Sequence, residues 1–243
     1  MPTTPKWTLG FDADDTLWEN ERFFHDVQNQ FATLLADYLP AEDVHARLLT
    51  FERQNLRRYG FGVKGFVLSM IETALDISQD RLPNQVIRQL IDAGHAMLDY
   101  PIELRPHARE TVKALKEYGD LVVITKGDLI DQERKLEASG LADLFDAVEI
   151  VSDKTPAIYQ RIFDRHGHPL RLMVGNSLKS DVLPAIAAGA NGVHIASPMT
   201  WALEHAEAPE GHPLFHALPD LAALPALVER IGNKPHIDGT VTN

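Results

Sequence analysis

Between Pro101 and Ile195 the chain switches repeatedly between short apolar runs and stretches of helical period, and few architectures accept that alternation. A helix over about 107–118 leads to a strand at 121–125, and a helix from about 129 stops at Gly140. A short strand follows near 147–151. Thr155 and Pro156 then read as the N-cap and first turn of a helix that stops near Gly167. Residues 172–174 form a strand, 180–188 a helix ending at Gly189, and 192–195 a last strand. Strands this apolar, each followed by a helix, belong in a parallel sheet covered on both faces. One more strand stands far upstream at 7–12, where Trp7, Leu9 and Phe11 share a face.

Between that first strand and the others every pattern is helical. Phe23, Val27, Phe31 and Leu34 lie along one stripe, as do Val63, Phe66, Val67, Met70, Ile71 and Ala74. Val86, Ile87, Leu90 and Ile91 continue the theme after Pro83. The expected fold is α/β: a Rossmann-like open parallel sheet of about five strands with an inserted helical-bundle cap domain. Its catalytic core spans residues 1–18 and 99–243, and the cap spans 19–98.

Composition narrows the chemistry. Lys and Arg number 23 against 35 Asp and Glu, a net charge of −12. A general nucleic-acid or anionic-membrane binder needs clustered cations that such a balance does not supply. Cysteine is absent, which removes disulfides, thiolate nucleophiles, iron–sulfur clusters and cysteine-bound zinc. No apolar run approaches the ~18 residues of a membrane helix, and the N-terminus lacks the pattern of a secretory signal. A cytoplasmic protein, monomer or homodimer, is expected. The tail over 233–243 shows no periodicity and is expected to be loose.

Ligands of open parallel sheets bind beyond the carboxyl ends of the strands. The polar residues there are Asp12, Asp14 and Thr16, then Thr125 and Lys126, then Lys154, and finally Asn176, Ser177 and Asp181 behind Gly175. Asp12 and Asp14 are two apart on extended chain, so both face one side. Two ionised carboxylates ~4 Å apart repel by about 4 kcal/mol at an effective dielectric of 20. Such a cluster takes up a proton or binds a cation, and oxygen ligands without Cys favour Mg²⁺. A turn rich in Asp at a strand end is the plain alternative. An EF-hand is excluded, since Leu17 and Phe23 stand where its Gly and Glu are required.

In their order and spacing these residues resemble the haloacid dehalogenase superfamily of phosphohydrolases. Asp12, Asp14 and Thr16 match its first motif, Thr125 its second, Lys154 its third, and Gly175, Asn176, Ser177 and Asp181 its fourth. The resemblance covers roughly residues 6–195, and the helical insert sits where many members carry a cap. It implies a Mg²⁺-dependent phosphatase acting on a small phosphorylated metabolite. Asp12 would be the nucleophile and become an aspartyl phosphate, and Asp14 the general acid and base. Asp12, Asp14 (through its carbonyl), Asn176 and Asp181 would hold the metal. Thr125 and Lys154 would bind the phosphoryl group, with Thr16 and Lys126 beside it. Many relatives have Asp in place of Asn176, so a site charge lower by one is expected here.

Gly60, Gly62 and Gly65 match a dinucleotide fingerprint formally, but a polar helical stretch precedes them where a strand is needed. No P-loop pattern is present. Glycines around Lys64, between two cap helices, suggest either a loop that brings Lys64 or nearby Arg58 onto an anionic substrate or a plain helix-joining loop with a solvent-facing lysine. The histidines show no ligand spacing on any strand end. Competing functions are a haloacid dehalogenase, against which Asp14 speaks, a phosphomutase, and a non-catalytic binding protein of the same fold.

Overall fold

The computed structural model describes residues 6–233. Six parallel strands form one sheet: β1 (Trp7–Phe11), β2 (Gly119–Lys126), β3 (Ala147–Val151), β4 (Leu170–Gly175), β5 (Asn191–Ile195) and β6 (Phe215–Leu218). Their order is β3-β2-β1-β4-β5-β6, so the direction of winding reverses between β1 and β4. Reversal opens a crevice at the carboxyl ends of those two strands. Register places Phe11 beside Val123 on one side and Val174 on the other, which sets Asp12 directly above the middle of the sheet.

Alternation along the strands covers both faces. Leu9, Phe11, Leu121 and Val123 pack with Ala108, Val112 and Leu115 of α5 (Ala108–Leu115), Leu136 of α6 (Leu129–Ser139), and Leu224, Leu227 and Val228 of α9 (Leu224–Gly232). Val122, Ile124 and Met173 point the other way. They meet Tyr159, Ile162 and Phe163 of α7 (Pro156–His166) and Ala185 of α8 (Leu183–Ala187). Thr155 caps α7 through its side chain, and Pro156 takes the first turn, as their types predict.

The sheet has one strand more than the five expected. Phe215, His216, Ala217 and Leu218 make a four-residue edge strand beside β5, half-buried and without a clear period of two. A run this short leaves little signal for pattern reading. The helix expected at 180–188 divides into a π-type turn at Leu178–Val182 and the short α8. The expectation of a loose tail falls, from residue 234 onward, outside the described residues.

Between β1 and α5 run α1 (Glu21–Leu34), α2 (Ala41–Tyr59), α3 (Val63–Ser78) and α4 (Asn84–Leu98). Their apolar stripes bury Val27, Phe31, Leu48, Phe66, Met70, Leu90 and Met97 in a cluster distinct from those of the sheet. The chain leaves and re-enters the sheet layer through two adjacent crossings. Glu19 N donates to Glu103 O at 2.9 Å and Arg105 N to Leu17 O at 2.9 Å, and Arg105 pairs with Glu19 at 3.1 Å.

Candidate active site

Each cluster member stands at or beyond the carboxyl end of a strand. Asp12 follows β1, its N–H donating to Val174 O at 2.9 Å. Thr125 is the last residue but one of β2, and Lys154 lies in the loop between β3 and α7. Gly175 ends β4, and the π-type turn after it carries Asp181. Ser177 fixes that turn: its hydroxyl accepts from Ser180 N at 3.0 Å, and its N–H donates to Asp181 Oδ2 at 2.9 Å. From α7, the Tyr159 hydroxyl donates to Ser180 O at 3.0 Å and pins the turn from behind. Single π-type turns recur at functional sites, and this one aims a carboxylate at the crevice.

Lys154 joins the two acids. Its Nζ lies 2.5 Å from Asp12 Oδ1 and 2.6 Å from Asp181 Oδ1, and all three side chains are buried. Burial pushes the Lys154 ammonium down, but Asp12 and Asp181 together outweigh it and hold the group well above its ordinary value. Asp12 goes the opposite way from a surface acid. Burial and the neighbouring Asp181 push it up to about 7, against the pull of Lys154.

Asp14 has a different environment. Lys135 Nζ lies 2.8 and 2.9 Å from its two oxygens, Gln132 Nε2 donates at 2.8 Å, and Trp18 Nε1 donates at 2.7 Å. Burial would raise its pKa, yet Lys135 and these donors prevail and hold it below the usual carboxylate value. Asp15, at φ 61°, accepts from the N–H groups of Asn20 and Glu21 and so caps the start of α1.

Lys154 engages Oδ1 of each acid, while Oδ2 of Asp12 accepts from the Thr16 hydroxyl and Oδ2 of Asp181 from Ser177 N. The Asn176 amide is satisfied by donating to Asp12 Oδ2 and to the Asp14 carbonyl, each 3.3 Å away. Turned over, the same amide would bring its own oxygen against those two, a cluster of oxygens suited to Mg²⁺. Among the described residues no three His, Asp or Glu side chains group for a metal; the oxygens gathered here come from two carboxylates, an amide and a main-chain carbonyl.

A cavity of about 160 Å³ holds Asp12, Asp14, Thr125, Lys126, Lys154, Asn176, Ser177 and Asp181 on its sheet side. Glu21, Phe24, Glu52, Asn55, Phe61 and Phe66 close it from the helical insert. Three expected members stand apart. Thr16 does not line the cavity; its hydroxyl donates to Asp12 Oδ2 at 2.9 Å and accepts from Asn176 N at 3.1 Å, bracing the acid rather than facing a ligand. Lys64 also lies outside the lining, its Nζ held 2.9 Å from both oxygens of Asp128. Arg58 is likewise absent from the lining.

The glycine loop does come down onto the sheet side, with Phe61 as the side chain that enters. Its ring lies 4.0 Å from Lys126 Nζ and meets Trp201 edge-on at 6.2 Å. Gly62, at φ +103°, adopts a backbone that other residues rarely take, and a Cβ there would fall 3.4 Å from Asp128 N. The formal dinucleotide fingerprint is therefore a turn requirement. Lys126 is paired with Glu204 at 2.7 Å and donates to Ser180 Oγ at 2.8 Å. Glu204, Trp201, Gln132 and Lys135 escaped the sequence reading; the first two come from a stretch without period, the others from the polar side of α6.

Residues 8–189 match the family model for haloacid dehalogenase-like hydrolases. A haloacid dehalogenase-like family hydrolase from Xanthomonas campestris is 36% identical and superposes with a TM-score of 0.84, over 96% of this chain and 94% of that one. The pyrimidine 5′-nucleotidase YjjG of Escherichia coli K12 is 27% identical over 225 residues, 85% of this chain and 91% of the relative. YfnB of Bacillus subtilis, a HAD-hydrolase whose structure holds magnesium, shares the fold at 19% identity and a TM-score of 0.61, over 92% of this chain and 99% of that one. Among the described residues no helix is long and apolar enough to cross a membrane.

Proposed function

This chain belongs to the haloacid dehalogenase-like hydrolases, and on that premise we propose that it is a Mg²⁺-dependent phosphomonoesterase for a small phosphorylated metabolite. The observation that carries the reading is the Lys154 bridge between Asp12 and Asp181 at the floor of a covered cavity. Monoester hydrolysis is intrinsically slow, and positioning with charge neutralisation must supply most of the acceleration.

In this reading Asp12 attacks phosphorus and forms an aspartyl phosphate while the bond to the leaving oxygen breaks. Burial and Asp181 disfavour its charge, so Lys154 and Thr16 supply what keeps the carboxylate available and aimed. The Lys154 ammonium and the Thr125 hydroxyl stand at the cavity floor to stabilise the phosphoryl oxygens. Asp14 takes the proton of the water that frees phosphate. Lys135 holds it ionised, which suits that step; protonating the leaving oxygen calls for Asp14 to part from Lys135 and take up a proton. Asp12, Asp181, Asn176 and the Asp14 carbonyl would hold Mg²⁺, which would supply positive charge to offset that of the phosphoryl oxygens.

Residues 19–98 act as the cap over the site, and a cavity lined from both the sheet and the cap favours a small substrate over a phosphoprotein. The nucleotidase relative makes nucleoside monophosphates natural first substrates to assay. The test is phosphate release from a panel of phosphorylated metabolites, with Mg²⁺ and with EDTA, beside Asp12→Asn. Activity that needs Mg²⁺ and is lost in the variant supports the reading; metal-independent release of halide from a haloacid would replace it with dehalogenation.

A further inference from the structure

The cavity has two ends of different character. Its sheet end carries every cation that lines it among the described residues: Lys126, Lys135 and Lys154. Each already faces a carboxylate, at 2.7 Å from Glu204, 2.8 Å from Asp14 and 2.5 Å from Asp12. No arginine or histidine lines the cavity among the described residues. At the insert end stand Glu21 and Glu52, the second only 8% exposed. Trp201 eases the charge of Glu52, and no donor or cation among the described residues is paired with the Glu21 side chain. Phe24, Phe61 and Phe66 supply the apolar wall between them.

This arrangement is costly for the empty protein and selective toward a ligand. Burial raises both glutamates, and Asp15, Glu52 and Asp14 repel Glu21 further. A bound N–H or ammonium group would relieve that crowding. A second phosphate or a carboxylate would find no cation at that end to receive it, which sets it at a disadvantage against a cationic group.

Building on the phosphatase reading, we infer that the insert end of the cavity selects phosphomonoesters whose leaving group carries N–H or ammonium donors and no second anionic group. Glu52 and Glu21 receive those donors, and the phenylalanines hold the carbon skeleton. The feature reaches beyond the general phosphatase chemistry, which fixes only the phosphoryl end.

The test uses the full chain with Mg²⁺ and two matched substrate pairs, ethanolamine phosphate with phosphoglycolate and cytidine monophosphate with orotidine monophosphate. In each pair the first member carries an amino group and the second a carboxylate. A kcat/KM at least roughly tenfold higher for the carboxylate-free member is expected in both pairs, a difference the neighbouring acids readily supply. Glu21→Gln and Glu52→Gln together should bring the ratio toward one; both are neutral isosteres of acids that fold most readily uncharged. Equal use of the two members, preference for the carboxylate, or a ratio unchanged in the double variant overturns the inference. p-Nitrophenyl phosphate separates the two levels: its hydrolysis by the wild type keeps the phosphatase reading whatever the ratios show, and inertness toward every phosphate removes both.

Discussion

Gly175 and Asp181 occupy each other's space: a Cβ built on Gly175 would fall 2.1 Å from Asp181 Oδ2 and 2.3 Å from its Cγ. The strand can end beside the carboxylate only because residue 175 has no side chain. Gly175→Ala should therefore displace Asp181 and weaken Mg²⁺ activation by roughly 10–100-fold. Titration of activity against Mg²⁺, with a melting curve to check folding, measures this. An unchanged Mg²⁺ requirement in a folded variant would remove Asp181 from the metal site.

Lys135 is the main counter-charge of Asp14, and it is nearly as buried as the sheet core. Lys135→Met leaves a partly buried carboxylate without its cation, at a cost of roughly 3 kcal/mol in stability. Denaturant unfolding checks the magnitude. The companion variant Lys135→Arg should retain most of that stability, since it keeps the charge.

The glutamates Glu21 and Glu52 give the folded protein a pH signature. Burial and neighbouring acids raise them to about 8 and about 7, from 4.5 in the unfolded chain. Folded protein thus keeps protons that unfolded protein releases, and their contribution is lost as pH rises from about 4.5 to about 8. Without metal or substrate, Tm should fall by roughly 5 °C between pH 6 and pH 8.5. Glu21→Gln with Glu52→Gln should flatten that slope; a steeper one contradicts the assignment.

Lys64 and Asp128 form an exposed pair, with side chains 56% and 27% accessible, and such pairs contribute about 1 kcal/mol or less. Lys64→Ala should leave kcat/KM within roughly threefold on the best substrate. A loss of roughly a hundredfold would show that Lys64 reaches the substrate after all.

Strand-end chemistry was readable because position and residue type agree there. Asp12 and Asp14 share a face two residues apart, and Thr125, Lys154 and Asp181 each follow an apolar strand or its loop. Their partners were not readable. Lys135 and Gln132 sit on a polar helix side that any solvated helix shows, and only the placement of α6 beside the loop after β1 brings them to Asp14. Trp201 and Glu204 come from a segment without period, folded over Lys126 by its own ion pair. The glycine loop was located correctly between α2 and α3, but its entering side chain is Phe61, because Asp128 holds Lys64 aside. Strand β6 went unseen for want of length.

The central claim is that Asp12 carries the phosphoryl group during turnover. Acid quench within the first turnover, followed by mass spectrometry of the peptide containing Asp12, tests it directly. The account expects one added phosphoryl group on Asp12 in the wild type and none in Asp12→Asn, which should also release no phosphate. Phosphate release at the wild-type rate by Asp12→Asn, or a label found on another residue, would contradict it.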